Sequence, residues 1–275
     1  MILRNRKQTS QGMPSPQEPL RPETPFFAIG DVHGCDRLLD RLLHRLDKMA
    51  HPDALLVMVG DYVDRGEETA RVLRRMTVLS EAAGDLMHCI MGNHEQMLLD
   101  ALDDPVANGP RWLRYGGLQT LASYRVPPVL GDRPEAEWVE MRDRLAEALG
   151  DATINWLRGL PLTWQTGNVV VVHAGADPAQ PIAGQPRGNF LWGHPDFRRR
   201  PRTAGLWVVH GHTITESPKV EQGRIPTDTG AYATGADVLE DLATEHELPA
   251  RVLDWRQLSK LKSTYTDALQ EHINK

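Results

Sequence analysis

Five short apolar segments of this chain each lead directly into a turn that carries residue types able to bind metal ions. These segments lie at 26–29, 55–59, 86–91, 169–172 and 206–209. Short apolar runs bounded by glycine are typical of buried strands. In open α/β sheets, ligand sites lie beyond the carboxyl ends of the strands. The pattern therefore predicts an α/β fold whose strands deliver their turn residues to one shared site.

The segments between the first three strands have the spacing of helices. Apolar residues recur at helical intervals from 36 to 50, and further helices are predicted at about 67–83 and from His94 onward. A strand, a helix and a second parallel strand form a βαβ unit, which is nearly always right-handed. The amino-terminal part of the domain is therefore predicted to be built from βαβ units.

The remaining segments indicate how the domain is organised. Residues 1–24 are rich in Gln, Pro, Ser and Arg, which predicts a flexible tail. The folded domain is expected over 25–255. Within it, residues 104–160 contain three tryptophans and no strand-like run, so they are interpreted as a helical insertion lying over the site. Residues 256–275 have the apolar spacing of a carboxyl-terminal amphipathic helix.

Composition narrows the functional classes. A chain of 275 residues can bury a substantial core, and its net charge of −6 argues against nucleic acid or an anionic membrane as a partner. No run has the length of a membrane-spanning helix, and no apolar segment follows the basic amino terminus, so a cytoplasmic location is expected. Cys35 and Cys89 form no disulfide framework. Oligomeric state is not indicated.

Six residues with oxygen or nitrogen donors follow the five strands. They are Asp31, His33, Asp61, Asn93, His173 and His212. Asp31 and His33 are one residue apart, so in extended backbone both side chains point to the same side. The carboxylate of Asp61 has two oxygens and could bridge two ions. Mixed oxygen and nitrogen donors without thiolate favour transition metals over Mg²⁺ or Ca²⁺, so a dinuclear centre is predicted.

Three residues next to these ligands have the chemistry of phosphate-ester hydrolysis. His94 follows Asn93 and titrates in the range needed to protonate a leaving oxygen. Asp64 could orient that imidazole, and the guanidinium of Arg65 matches the oxygens of a phosphate. His210 lies two residues before His212, so strand alternation alone allows either histidine to be the ligand.

Three motifs carry a family resemblance. GDVHG at 30–34, GDYVDRG at 60–66 and GNHE at 92–95 resemble the calcineurin-like metallophosphoesterases, and within them the phosphoprotein phosphatase family. Segments 112–117, 157–161, 191–192 and 228–235 resemble its bacterial branch, which includes the phage lambda phosphatase type. The resemblance implies a four-layer α/β/β/α sandwich of two mixed sheets flanked by helices. It also implies two divalent metal ions, usually Mn²⁺, with Fe or Zn as alternatives.

The resemblance also assigns roles to individual positions. Asp31, His33 and Asp61 match ligands of the first metal, and Asp61, Asn93, His173 and His212 match those of the second. His94 matches the general acid, Asp64 its partner and Arg65 a phosphate-binding arginine. Because the matched ligand is His212, His210 is expected to lie behind it.

One position departs from the bacterial pattern. Bacterial members usually carry a phosphate-binding arginine two residues after the tryptophan that matches Trp192, where this chain has His194. His194 and Arg114 are the first candidates to bind phosphate in its place. The others form the arginine group at 198, 199, 200 and 202. Asn93 and Tyr232 are further predicted substrate contacts.

These observations predict a serine/threonine protein phosphatase, a phosphomonoesterase acting on a phosphorylated protein or a small phosphoester. A metal-bridging hydroxide attacks in line and His94 protonates the leaving alkoxide. The alternative is a symmetrical dinucleoside tetraphosphate hydrolase. Those relatives usually have Ala in place of Asp64 and Asp in place of Glu95, so these two residues favour the phosphomonoesterase. The net charge of −6 disfavours a nuclease. The complete set of candidate metal ligands disfavours an inactive metal-binding scaffold.

Overall fold

The computed structural model describes residues 19–49, 54–202, 205–216, 219–220 and 222–234. The first eighteen residues of the predicted tail and the predicted helix at 256–275 lie outside the described residues, as does the carboxyl-terminal part of the domain predicted for 25–255.

The described part of the first sheet consists of three parallel strands. They are β1 (Phe26–Ile29), β2 (Leu55–Met58) and β3 (Met87–Cys89), in the order β1-β2-β3. Helix α1 (Asp36–Met49) connects β1 to β2, and helix α2 (Thr69–Ala83) with a short 3-10 turn (Gly84–Leu86) connects β2 to β3. The predicted βαβ order is confirmed. Because the strands are parallel, the turns that follow them meet at one edge of the sheet.

The second sheet is mixed and has four described strands. They are β4 (Thr163–Thr166), β5 (Val169–Val172), β6 (Trp207–His210) and β7 (Arg224–Pro226). β4 and β5 form an antiparallel hairpin, while β5, β6 and β7 run parallel. The prediction of two mixed sheets therefore holds for this sheet, whereas the described strands of the first sheet are all parallel.

Side-chain alternation produces the layers. Alternate residues of both sheets meet in one apolar cluster that includes Val57, Val59, Ile90, Val169, Val171 and Val209. The outer face of the first sheet packs on α1 and α2 through Met58, Leu39 and Leu73. On the outer face of the second sheet, Val170 and Val172 pack with Phe190 of the short helix α8 (Arg187–Trp192). Two stacked sheets flanked by helices result, as predicted.

The segment of the chain that connects β3 to β4 is helical. The helices are α3 (Asn93–Asp103), α4 (Pro105–Trp112), α5 (Leu118–Ser123), α6 (Glu135–Leu149) and α7 (Asp151–Gly159). A π-type turn at Leu113–Gly117 joins α4 to α5, and Gly116 bends it with φ of 118°. The carbonyl of Gly116 accepts a hydrogen bond from the backbone N–H of Arg65, so this bend contacts the turn after β2.

Part of the predicted amino-terminal tail is bound to the second sheet. The backbone N–H of Arg21 donates to Asn168 Oδ1 at 2.7 Å, and that of Thr24 donates to Thr166 Oγ1 at 2.9 Å. Leu20 packs on the cluster between the sheets. Residues 19–24 were predicted to belong to the flexible tail. Arg21 and Thr24 instead form hydrogen bonds with residues more than 140 positions away in the sequence.

Two further properties of the described part concern the thiols and the helices. Cys35 and Cys89 are both free, and burial raises the pKa of Cys89 to about 11. No helix among the described residues combines the length and the apolar character needed to cross a bilayer. A short helix, α9 (Ala231–Thr234), ends the described chain.

Candidate metal centre and phosphate site

Two groups of donor atoms lie at the edge where the strands end. His33, Asp61 and His94 form one group, and Asp61, His173 and His212 form the other; within each group the donor atoms lie within 4.8 Å of one another. Asp61 belongs to both groups, which is the geometry expected of a bridging carboxylate.

The backbone in these turns adopts an uncommon conformation. Five non-glycine residues of the turns after β1, β2 and β6 have positive φ, namely His33, Asp61, Asp64, Arg65 and His212. Such backbone costs on the order of 1–3 kcal/mol per residue and is concentrated at functional sites. Packing against the sheets holds the turns in place, so the side chains are directed before any ligand binds.

Two glycines allow carboxylates to approach the backbone closely. A Cβ atom on Gly92 would lie 2.1 Å from Asp61 Oδ1, and one on Gly211 would lie 2.1 Å from Asp31 Oδ1. The backbone N–H of His94 donates to Asp61 Oδ1 at 3.0 Å. That of His212 donates to Asp31 Oδ1 at 3.1 Å. Asp31 therefore joins the turn of the first sheet to the turn of the second.

The first donor group has unpaired atoms that suit a cation. Nδ1 of His33 lies 2.9 Å from the carbonyl oxygen of Val63. A carbonyl only accepts, so Nδ1 carries the proton and Nε2 presents a lone pair. Nε2 of His33 and Oδ2 of Asp61 are 3.5 Å apart, buried and without a hydrogen-bond partner. Burial lowers the pKa of His33 to about 3, which keeps the ring neutral as a metal ligand must be.

The second donor group also attracts positive charge. His173 donates from Nδ1 to the carbonyl of Val59 at 3.0 Å. Its Nε2 lies 2.8 Å from Asn93 Oδ1 and 3.3 Å from Asp61 Oδ1. Burial lowers the pKa of His173, but the charge and hydrogen bond of Asp61, together with the charges of Asp31 and Glu95, outweigh burial and raise it to about 10. A metal cation would supply the same positive charge at this point.

The two remaining ligand positions complete this arrangement. Burial and the neighbouring His173 lower the pKa of His212 to about 4, so its ring is neutral. Burial raises the pKa of Asp31 well above its ordinary value, and the charge of His173 offsets only part of that effect. An anionic Asp31 therefore needs a nearby cation. All six predicted ligands lie in this one cluster, and its donor chemistry fits two divalent ions.

The predicted acid and its partner are in direct contact. Nδ1 of His94 lies 2.7 Å from Oδ2 of Asp64, and both side chains are buried. Burial lowers the pKa of His94, but the charge of Asp61 and the hydrogen bond and charge of Asp64 together outweigh burial, so the pKa lies above its usual value. Nε2 of His94 lies 3.9 Å from Asp61 Oδ2, which places the ring beside the metal ligands.

Sequence reasoning did not identify the residues that hold Asp64. Trp112 Nε1 donates to Asp64 Oδ1 at 3.0 Å, and Thr120 Oγ1 donates to the same oxygen at 2.7 Å. Both residues belong to the helical segment that connects β3 to β4. Their separations of 48 and 56 positions from Asp64 leave no local signal in the sequence.

Glu95 has a structural role that was also missed. Its Oε1 accepts backbone N–H groups of Tyr62 and Val63, and its Oε2 accepts those of Asp61 and Gly92. Four hydrogen bonds to one buried carboxylate fix the turn after β2 against the start of α3. The spacing of Gly92 and Glu95 is that of a capping box, which was the available local signal.

The predicted substrate contacts divide into two sets. The Arg65 guanidinium lies 4.9 Å from the Tyr232 ring centroid, and that ring lies 5.2 Å from the His33 ring. His194, in contrast, accepts the backbone N–H of Asp196 at Nδ1, and its Nε2 lies 3.9 Å from Asp177 Oδ2. Both ring nitrogens face these residues, and a contact between His194 and phosphate stays a prediction.

The other arginine candidates lack a contact with the cluster in the described structure. Arg202 is buried and donates to the carbonyls of Gln180 and Asp177. Arg114 and the arginines at 198, 199 and 200 are exposed. His210 packs edge-on against Phe197, with ring centroids 5.0 Å apart. This position behind the ligands agrees with the choice of His212.

Residues 24–253 match the sequence pattern of the calcineurin-like phosphoesterases, and the chain belongs to this family. A protein of Delftia acidovorans is 37% identical over 158 residues, which cover 56% of this chain and 45% of that protein. A Janthinobacterium protein is 33% identical over 152 residues, covering 55% of this chain and 44% of that protein. Both are named symmetrical bis(5′-nucleosyl)-tetraphosphatase. The matched region spans less than half the length of these relatives.

Solved structures show the same fold. A protein described as a candidate diadenosine tetraphosphatase has a TM-score of 0.50 and 20% identity, covering 80% of this chain and 87% of that one. A cold-active protein-tyrosine phosphatase of a Shewanella species has a TM-score of 0.50 and 19% identity, covering 78% of this chain and 75% of that one. At these identities the likeness concerns the fold alone.

Proposed function

We propose that this metallophosphoesterase hydrolyses dinucleoside tetraphosphates symmetrically at a centre of two divalent ions, with Mn²⁺ as the first choice and Fe or Zn as alternatives. The observation that carries the hydrolytic part is the donor cluster around Asp61, where His33 Nε2 and Asp61 Oδ2 are buried without partners. The named function of the relatives at 37% and 33% identity supports the substrate. This ranking reverses the preference for a protein phosphatase that the sequence analysis reached.

The side chains of the site have separate tasks in this proposal. Bound ions would polarise the phosphoryl group and activate water. Arg65 would bind phosphate oxygens, since its guanidinium lies over Tyr232 beside the first donor group. His94 would hold a proton at Nε2 for the leaving oxygen, because Asp64 accepts from its Nδ1 at 2.7 Å.

A phosphomonoester is the second candidate substrate, and the His94–Asp64 pair is the observation that favours it. Symmetrical cleavage of a dinucleoside tetraphosphate releases a nucleoside diphosphate, which is a stable anion and needs little protonation. A serine or threonine alkoxide needs a proton as the bond breaks. A buried imidazole whose pKa is raised suits the alkoxide. Serine/threonine protein phosphatase activity therefore remains the alternative.

A substrate panel tests both candidates. The full chain, loaded with Mn²⁺, is assayed on diadenosine tetraphosphate, on phosphoserine, phosphothreonine and phosphotyrosine peptides, on an aryl phosphate and on a phosphodiester. We expect the highest kcat/KM on diadenosine tetraphosphate, with adenosine diphosphate as the sole nucleotide product. A higher kcat/KM on the phosphoserine or phosphothreonine peptides would move the proposal to the second candidate. Absence of metal-dependent turnover on every substrate would reject the phosphohydrolase itself.

A further inference from the structure

Two pairs of an arginine and an aromatic ring flank the donor cluster. Arg65 lies over Tyr232, whose ring is 5.2 Å from His33 of the first donor group. Arg111 lies over Trp192 at 4.8 Å, and the Trp192 ring is 6.4 Å from His212 of the second donor group. Each donor group therefore has its own guanidinium nearby, and only Arg65 has been assigned a task.

The environment of Arg111 leaves its charge available. Arg111 is exposed, and no carboxylate of the described residues lies within ion-pair distance of it. The net charge of the chain is −6, so an exposed arginine without such a partner is unusual. The guanidinium instead rests on an aromatic face, which restricts its position.

Trp192 has an unusual position for a large apolar side chain. It ends α8 and is 40% exposed, although most tryptophans are largely buried. Its ring meets His212 edge-on with an interplanar angle of 87° and supports Arg111 from α4. The ring therefore connects a ligand of the second donor group to a guanidinium contributed by a different helix.

We propose that Arg111, held on Trp192, binds a second phosphate group linked to the one that is hydrolysed. This inference rests on the proposed function, because it presumes that a phosphate lies at the donor cluster. A guanidinium presents several N–H donors in one plane and matches phosphate oxygens in geometry and charge. The pair makes the site selective for substrates with linked phosphates, whereas Arg65 serves every phosphoester.

Binding of two uncleavable ligands tests the selectivity without turnover. The Mn²⁺-loaded chain is titrated calorimetrically with methylenediphosphonate, which has two linked phosphonates, and with methylphosphonate, which has one. Metal complexation by the free ligand is the same for every protein, so the ratio of Kd values between proteins isolates the protein contacts. The unsubstituted chain is first assayed for metal-dependent turnover of the substrate panel.

Arg111→Gln is the test variant and Arg125→Gln is its matched control, an exposed arginine that follows α5 in the same helical segment. We expect Arg111→Gln to raise the Kd for methylenediphosphonate about tenfold and to leave that for methylphosphonate within about twofold, a loss near one charge-assisted hydrogen bond. Arg125→Gln should change neither Kd. Trp192→Leu should weaken methylenediphosphonate binding selectively, because the guanidinium loses its support.

The outcomes separate this inference from the function on which it rests. If the unsubstituted chain is active but Arg111→Gln leaves the ratio of the two Kd values unchanged, the inference is overturned and the hydrolase stands. The same holds if Arg125→Gln has an equal effect, because general surface charge then explains the binding. If the unsubstituted chain turns over no phosphoester, the proposed function fails and the inference fails with it.

Discussion

The imidazole of His94 and the carboxylate of Asp64 form a buried pair with Nδ1 and Oδ2 2.7 Å apart. Trp112 and Thr120 donate to the other oxygen of the same carboxylate. A carboxylate with three donors stays fixed, so it fixes the plane of the imidazole. Nε2 of His94 is thereby directed toward Asp61, 3.9 Å from its Oδ2.

The first prediction concerns proton transfer from His94. His94→Asn should lower kcat on alkyl phosphates by about 10²–10⁴-fold, the usual value of general acid catalysis. The loss on an aryl phosphate or on diadenosine tetraphosphate should be far smaller, because those leaving groups are stable anions. Steady-state kinetics on the three substrates with Mn²⁺ measures the difference. Equal losses on all three would remove His94 from the role of acid.

The second prediction concerns Asp64. Asp64→Asn places an amide donor where the carboxylate accepts from His94, Trp112 and Thr120. Leaving a buried donor unsatisfied should lower the free energy of unfolding by about 2–4 kcal/mol, as measured by urea denaturation. Turnover of alkyl phosphates should fall as it does for His94→Asn.

The double variant is the control for this pair. Because Asp64 acts on catalysis through His94, Asp64→Asn in the His94→Asn background should cause little further loss of turnover. Additive losses in kcat would mean that Asp64 contributes independently of the imidazole, and the pair would not act as a unit.

The third prediction separates metal binding from stability at Asp61. Asp61→Asn should reduce the bound metal to one weakly held ion or fewer, since Asp61 is the residue that both donor groups share. The metal-free protein should also lose stability near neutral pH, because the carboxylate that raises the pKa of buried His173 to about 10 is removed. Elemental analysis after dialysis and urea denaturation give the two readouts.

The exposed Asp132 provides the control for Asp61, since Asp132→Asn should alter neither readout. If Asp61→Asn retains two tightly bound ions, the carboxylate does not bridge them. If the metal-free variant is as stable as the parent, Asp61 does not stabilise a charged His173.

The strand ends and ligands could be predicted because their signals are local. Each apolar run is adjacent to its ligand, as with Val169–Val172 and His173, and parallel strands bring such ends together. The structure confirms the strands at all five runs and brings the six donor residues close together. Helices α1 and α2 begin within about two residues of the predicted starts.

The contacts that were missed depend on the path of the chain through space. Trp112 and Thr120 reach Asp64 only because the helical segment bends back at Gly116. Residue spacing after Trp192 suggested that His194 faces the substrate, yet both its nitrogens face Asp177 and Asp196. A positive φ at Gly193 of 81° turns the backbone between them, and spacing carries no information about that turn.

The last prediction concerns Glu95, whose two oxygens each accept two backbone N–H groups. In Glu95→Gln, the side-chain NH₂ group replaces one of the two oxygens. In either orientation of the amide, this NH₂ group faces two backbone N–H groups, which then have no acceptor there. The free energy of unfolding of the metal-free protein should fall by about 2–4 kcal/mol, as measured by urea denaturation. Metal affinity should fall by about 10–100-fold, since the backbone of Asp61 loses its support.

Glu147→Gln is the matched control, because Glu147 is exposed on α6 and its change should leave stability within about 0.5 kcal/mol. The second readout distinguishes support of the metal turn from general stability. Metal affinity is measured calorimetrically at a temperature where Glu95→Gln is fully folded. If the variant is less stable but binds Mn²⁺ as tightly as the parent, Glu95 only fixes the turn after β2 to α3 and does not support metal binding. Unchanged stability would mean that the four hydrogen bonds do not restrain the turn.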